Sequence, residues 1–132
     1  MTHPSPAEQD LLRGAERMTE EDLRRVLDDA EDLRRRARGP LGRFVEDIEL
    51  LLALTRAWAT GAYREIPWAS LAAIAFSLLY ILNPLDLVPD TLPLLGQLDD
   101  ATILALCLRL VQADLRAFRA WRSAHPRESP ST

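Results

Sequence analysis

The segment from residue 80 to residue 100 limits the possible folds of this chain more than any other segment. It reads Tyr-Ile-Leu-Asn-Pro-Leu-Asp-Leu-Val-Pro-Asp-Thr-Leu-Pro-Leu-Leu-Gly-Gln-Leu-Asp-Asp. A proline fixes φ and lacks an amide donor, so Pro84, Pro89 and Pro93 exclude one continuous helix. Gly96 permits backbone angles that other residues resist. The segment therefore predicts a compact series of turns.

Apolar residues recur at helical spacing on both sides of this segment, and no strand-like alternation survives comparison with that period. The pattern predicts an all-α fold, a small helical bundle with a helix-turn-helix hairpin around the Pro/Asp-rich turn. Gly14 weakens the first helix, so its replacement by alanine is expected to improve that helix. The expected helices are residues 6–18, a second from the Thr19 cap to Gly39-Pro40, a third from Pro40 to Gly61, an apolar helix within 66–85, and a last helix from Asp99 to about Trp121.

The length of 132 residues fits one hydrophobic core with loose ends. Four segments are expected along the chain. They are an N-terminal segment with a short helix (1–18), an amphipathic helical pair (19–65), the helical hairpin (66–122) and a disordered tail (123–132).

Residues 66–85 contain no charged side chain, and their 20 positions reach the length that a membrane-spanning helix needs. A helix of this kind also occurs as the central helix of a bundle, wrapped by the other helices. A third alternative is a soluble homo-oligomer that hides the apolar helix between subunits. The sequence leaves these three alternatives open.

Five aromatic residues lie in and just before this uncharged stretch, and they form a candidate membrane or partner surface. Tryptophan and tyrosine concentrate where a membrane meets water, although aromatic residues also fill soluble cores. The candidate surface consists of Trp58, Tyr63, Trp68, Phe76 and Tyr80.

The densest basic run consists of Arg34, Arg35, Arg36 and Arg38, at the expected end of the second helix. Cations are favourable at that end of a helix dipole, so a solvated helix end explains the run. The functional alternative is attraction to anionic lipid headgroups. The same residues are thus compatible with a structural and a membrane-binding role.

Four aspartates are candidate ligands for a divalent cation, and they fall within 15 residues in a stretch without basic side chains. Oxygen ligands of this kind suit Ca²⁺ or Mg²⁺ and would support a metal-dependent activity. Helix capping explains the same aspartates without an ion, because the spacing is not that of an EF-hand loop. Capping is the preferred interpretation, and no cofactor is expected. The candidate ligands are Asp86, Asp90, Asp99 and Asp100.

The remaining composition favours a non-catalytic protein. Both histidines, His3 and His125, lie near the chain ends, and the serines have no nearby base, so no catalytic residue is assigned. A net charge of −4 gives no basic footprint for nucleic acid. The first ten residues do not resemble a secretory signal peptide, which predicts a location on the cytoplasmic side, with or without membrane association. Cys107 has apolar neighbours and is expected to pack in the core.

The motif P-x-D-x-x-P-D-x-x-P-x-x-G-x-x-D-D resembles the signature of the YkvA-like family, the domain-of-unknown-function family 1232. The resemblance covers about residues 66–111. Asn83 and Gln97 depart from the family pattern, which expects a small hydroxyl and a larger apolar residue there. The resemblance implies a small helical domain that is often predicted to touch membranes and has no established chemistry. The motif residues are Pro84, Asp86, Pro89, Asp90, Pro93, Gly96, Asp99 and Asp100.

We therefore expect a YkvA-like module that associates with a membrane or binds a protein partner. Residues 66–82 are expected to supply its apolar surface, and residues 86–100 to fix the hairpin geometry.

Overall fold

The computed structural model describes residues 4–83 and 95–125. Within these ranges the protein is all-α, which confirms the expected fold class. Two short 3₁₀ turns, Gly42–Phe44 and Leu95–Gln97, accompany the α-helices. The helices are α1 (Pro6–Ala15), α2 (Glu20–Asp28), α3 (Ala30–Ala37), α4 (Val45–Thr60), α5 (Trp68–Leu82), α6 (Asp100–Leu110) and α7 (Gln112–Ala124).

Local sequence signals explain several helix ends. Ser5 accepts a hydrogen bond from the Glu8 amide at 3.2 Å, and the Glu8 carboxylate accepts one from the Ser5 amide at 2.7 Å. This reciprocal pair is a capping box, and it fixes the start of α1. At the end of α4, Gly61 has φ of 85°, a left-handed angle that glycine adopts without strain. Gly61 thus ends α4 as the sequence predicts.

Two helices that the sequence predicts as continuous are each divided in the structure. Asp29 separates α2 from α3, and Val111 separates α6 from α7; both have φ near −100° and ψ near 15°. Helical hydrogen bonds continue through both residues, so each is a bend rather than a gap. Because of the bends, α2 packs on α4 and α5, whereas α6 packs on α5 and α7 packs on α4.

The apolar helix α5 lies at the centre of the fold. All residues from Leu71 to Ile81 are buried, and α1, α2, α3 and α6 pack against them. The description of α5 as a central helix wrapped by others therefore matches the structure. Within residues 4–83 and 95–125, no helix combines the length and apolar character required to cross a membrane.

Gly14 packs directly against α5, which corrects the expectation that it only weakens α1. A Cβ atom at Gly14 would lie 2.3 Å from Cζ of Phe76, a ring that is itself buried. Such a distance is far below van der Waals contact, so the missing side chain lets α1 approach α5 closely.

Smaller differences concern the ends of the predicted helices. The first helix ends at Ala15 instead of residue 18, and the third begins at Val45 after a 3₁₀ turn instead of at Pro40. The last helix continues to Ala124, so its end includes the start of the expected tail. Residues 126–132 of that tail lie outside the described residues.

Candidate functional site

The Pro/Asp-rich motif is described only at its C-terminal end. Gly96 lies in the 3₁₀ turn that precedes α6, and Asp99 and Asp100 lie at the start of α6. On either side of the motif, α5 and α6 pack against each other, as expected for the two arms of a helical hairpin. The other motif residues, Pro84, Asp86, Pro89, Asp90 and Pro93, lie outside the described residues.

Asp99 caps α6, as the capping interpretation predicts. Its Oδ1 accepts a hydrogen bond from the Thr102 amide at 2.8 Å. Hydrogen bonds from Thr102 lower the pKa of Asp99 because they stabilise the charged carboxylate. The assigned role of Asp99 is therefore to fix the start of α6.

Asp100 lies in a different environment from Asp99. Partial burial raises the pKa of Asp100, and Arg36 opposes this effect. The two side chains form a long ion pair, with 4.0 Å between Nη1 of Arg36 and Oδ2 of Asp100. Asp100 thus connects α6 to the end of α3.

The divalent-cation alternative remains a prediction. Within residues 4–83 and 95–125, no three histidine, cysteine or acidic side chains form a group that would hold a metal ion. The proposed ligand set also includes Asp86 and Asp90, which fall outside these ranges.

Three of the five residues in the candidate aromatic surface are buried inside the fold. Phe76 packs beneath α1, and Tyr63 contacts Phe118 and Trp121 with ring centroids 5.1 Å and 5.0 Å apart. The Tyr80 hydroxyl donates a hydrogen bond to the Leu95 carbonyl at 3.0 Å. Tyr80 thereby ties α5 to the turn before α6. In this conformation these three residues support the core and the hairpin rather than an outer surface.

The other two aromatic residues, of which Trp58 is partly buried and Trp68 is exposed, form a corner where the chain passes from α4 to α5. Trp58 and Trp68 have ring centroids 5.8 Å apart, and Trp68 remains 39% exposed. The Arg64 guanidinium lies 4.3 Å from the centre of the Trp58 ring, within cation–π range. We call Trp58, Arg64 and Trp68 the tryptophan corner.

The predicted basic run is engaged in ion pairs. Arg34 donates two hydrogen bonds to Glu49, at 2.7 Å and 3.2 Å, and thereby joins α3 to α4. Arg35 pairs with Asp32 at 2.7 Å and Arg38 with Glu31 at 3.7 Å, in addition to the Arg36–Asp100 pair. The run therefore has nearby acids as partners, which favours the structural interpretation over headgroup attraction.

A different set of cations lines a groove of about 710 Å³ between α3, α4 and α7. Arg56, Arg119 and Arg122 face this groove, and none makes an ion pair with the described residues. The sequence does not reveal this set because Arg56 is brought to α7 only by tertiary packing. The spacing of Arg119 and Arg122 indicates a basic face on α7, since residues three apart share a helix face.

A polar contact between α5 and α7 is likewise not indicated by the sequence. The Ser70 hydroxyl donates a hydrogen bond to Oδ2 of Asp114 at 2.5 Å, across 44 residues of chain.

Cys107 is fully buried, as predicted, and burial raises the pKa of its thiol to about 11. A thiol with this pKa stays protonated near neutral pH. Cys107 is therefore a core residue and not a reactive one.

A family model described as "Protein of unknown function (DUF1232)" matches residues 70–106. This range begins in α5, includes the Pro/Asp-rich segment and ends in α6. The chain is also similar to "Uncharacterized membrane protein YkvA" of Bacillus subtilis (strain 168). The two are 32% identical over 78 residues, which make up 59% of this chain and 74% of the relative. No solved structure shows significant similarity to the chain.

Proposed function

The chain belongs to the YkvA-like family of unknown function, as its motif predicts, and we propose that it is a non-catalytic module that associates with a membrane surface. The observation that carries this proposal is the tryptophan corner. Trp68 is one of the two most exposed large hydrophobic residues in the described part of the chain. The name of the Bacillus relative, a membrane protein, supports the same location for this chain.

The chemistry of the tryptophan corner suits a membrane–water interface. Indole rings combine an apolar body with one polar N–H group and concentrate at the headgroup level of membranes. An arginine beside such rings keeps its aliphatic part against the aromatic surface while its charged end reaches phosphate or water. Trp58, Trp68 and Arg64 supply this combination at one corner of the fold.

The proposed mode of association leaves the helical bundle folded. The apolar residues of α5 already contact α1, α2, α3 and α6, and their exposure would cost the burial energy of the core. Trp68 requires no such rearrangement because 39% of its surface is exposed in the folded protein. We therefore assign the membrane contact to the corner and the scaffold role to α5.

Two other kinds of partner, a second copy of this chain and a different protein, are distinguished from a membrane by a single vesicle-binding test. The alternative of a homo-oligomer would place α5 between subunits, and within one chain α5 is already covered by α1, α2, α3 and α6. A protein partner would use the same exposed corner. Binding to lipid vesicles in the absence of any other protein separates the membrane proposal from both.

The test is co-sedimentation of purified full-length protein with vesicles of phosphatidylcholine alone or mixed with equal phosphatidylglycerol. We expect binding that weakens about tenfold in Trp68→Ser, because that variant loses the exposed apolar area of the ring. Trp68→Tyr is the matched control and should retain most of the binding, since tyrosine also favours the interface.

Two results would contradict the proposal. The first is a wild-type protein that stays in the supernatant with both kinds of vesicle. The second is equal binding by the wild type and Trp68→Ser, because the corner would then contribute nothing. Size-exclusion chromatography of the same samples reports whether a homo-oligomer forms instead.

A further inference from the structure

The groove between α3, α4 and α7 has an excess of positive charge at its α7 side. Arg34, at the α3 side, is neutralised by its two hydrogen bonds to Glu49. Arg56 on α4 and Arg119 and Arg122 on α7 have no ion-pair partner among the described residues. Glu46 also lines the groove, so beyond the Arg34–Glu49 pair the lining carries three arginines against one glutamate. An anion in the groove would therefore meet a net excess of positive charge.

The dipole of α7 explains only part of this arrangement. Arg122 lies in the last turn of α7, where a cation stabilises the helix end, and its guanidinium lies 5.5 Å from the centre of the Phe118 ring. Arg56 is not in the last turn of α4, and Arg119 precedes the last turn of α7. Local helix stabilisation therefore does not account for the convergence of the three.

Apolar side chains lie in the same groove beside these cations. Val45, in the first turn of α4, is 42% exposed, and Ala53, two turns further along α4, is partly buried; both line the groove. A site for a small soluble anion needs no such apolar surface. A ligand with a charged group joined to apolar chains fits both parts of the groove.

We propose that this groove binds the phosphate headgroup of an anionic phospholipid. The inference rests on the proposed membrane association and names its lipid. Arginine suits phosphate because its planar guanidinium donates two parallel hydrogen bonds to it. The chain as a whole carries a net charge of −4, which opposes binding to an anionic surface. Attraction to such a lipid therefore has to come from a local site.

The test compares two triple variants that change the net charge equally. In the groove variant, Arg56, Arg119 and Arg122 are each replaced by glutamine. In the control variant, Arg17, Arg24 and Arg116 are replaced by glutamine; these are exposed arginines outside the groove that also lack an ion pair among the described residues. Circular dichroism confirms that both variants are folded.

Binding is measured with vesicles of equal phosphatidylcholine and phosphatidylglycerol. We expect the groove variant to bind at least about tenfold more weakly than the control variant, since each arginine near an anionic surface contributes about a fivefold factor. Soluble glycerol phosphate has the same phosphate group without acyl chains, so it should displace the wild type from these vesicles only at concentrations well above those at which short-chain phosphatidylglycerol does.

Each other outcome overturns a defined part of this account. Equal losses of vesicle binding in the two triple variants would show that the groove has no special role. If Trp68→Ser still weakened binding, the proposal of membrane association through the tryptophan corner would nevertheless stand. Displacement by glycerol phosphate at concentrations as low as those of short-chain phosphatidylglycerol would assign the groove to a soluble phosphate compound and contradict the lipid. A wild-type protein that binds no vesicle would overturn the membrane proposal and this inference together.

Discussion

Gly14 faces α5 at a point where a Cβ atom would lie 2.3 Å from Cζ and 2.4 Å from Cε1 of Phe76. The Phe76 ring is 1% exposed, so neighbouring core residues restrict its movement. The sequence pattern treats this glycine as a weak point of a helix, whereas the fold uses it as the contact between two helices.

Gly14→Ala is therefore expected to destabilise the protein by about 1–3 kcal/mol, the usual cost of overpacking a core. Gly39→Ala is the matched control because the nearest atom to its added Cβ would be the Arg36 carbonyl oxygen, at 3.8 Å. Denaturant unfolding of both variants measures the difference. If Gly14→Ala is as stable as Gly39→Ala or the wild type, the close contact between α1 and Phe76 is wrong.

Asp99 gives a prediction about pH. Hydrogen bonds from Thr102 lower its pKa below the ordinary value of 3.8, so its contribution to stability is present above that value. The contribution is lost as the pH falls through the lower pKa of the folded state. Asp99→Asn keeps the cap without a titrating group, and Asp99→Ala removes the cap.

At neutral pH, the melting temperature of Asp99→Asn should therefore lie close to that of the wild type, and that of Asp99→Ala should be lower. Below about pH 4, the wild type should lose more stability than Asp99→Asn. Parallel pH profiles for the wild type and Asp99→Asn would contradict the assigned cap.

The helices could be predicted from the sequence more reliably than their bends. Apolar spacing and the terminal residues Pro6, Gly61 and Asp99 locate the helical regions and several of their ends. Nothing comparable marks Asp29 or Val111, because a bend with intact hydrogen bonds leaves the apolar period almost unchanged. Each bend lets two successive helices reach different neighbours. The pair α2 and α3 packs on α4 and α5, whereas α6 packs on α5 and α7 packs on α4.

The contact between Ser70 and Asp114 connects α5 to α7, two helices that are distant in sequence. A double-mutant cycle with Ser70→Ala and Asp114→Ala should give a coupling energy of about 1.5–3 kcal/mol, as expected for a partly buried hydrogen bond to a charged group. The exposed pair of Arg35 and Asp32 is the control, and its coupling should be about 0.5 kcal/mol or less. Equal coupling in the two cycles would exclude a structural role for the Ser70 contact.

At the scale of the whole molecule, composition and motif predict the family and the all-α fold, but not which apolar residues remain exposed. Residues 66–85 are compatible with a membrane span, a subunit interface or a buried core until the positions of α1, α2 and α6 are known. The groove between α3, α4 and α7 is equally hidden from sequence patterns. Arg56 and Arg119 line it together only because α4 packs on α7. Sequence periodicity shows which side of a helix is apolar, but it does not show which other helix packs against that side.

The central claim is that the protein binds a membrane through its exterior while α5 stays buried in its own fold. Carbonate extraction of membranes from cells that express the full-length protein tests it most directly. We predict that the protein sediments with membranes in ordinary buffer and is released by alkaline carbonate without detergent. Retention in the carbonate-washed pellet until detergent is added would place α5 in lipid and contradict the account, as would a complete absence of the protein from the first membrane pellet.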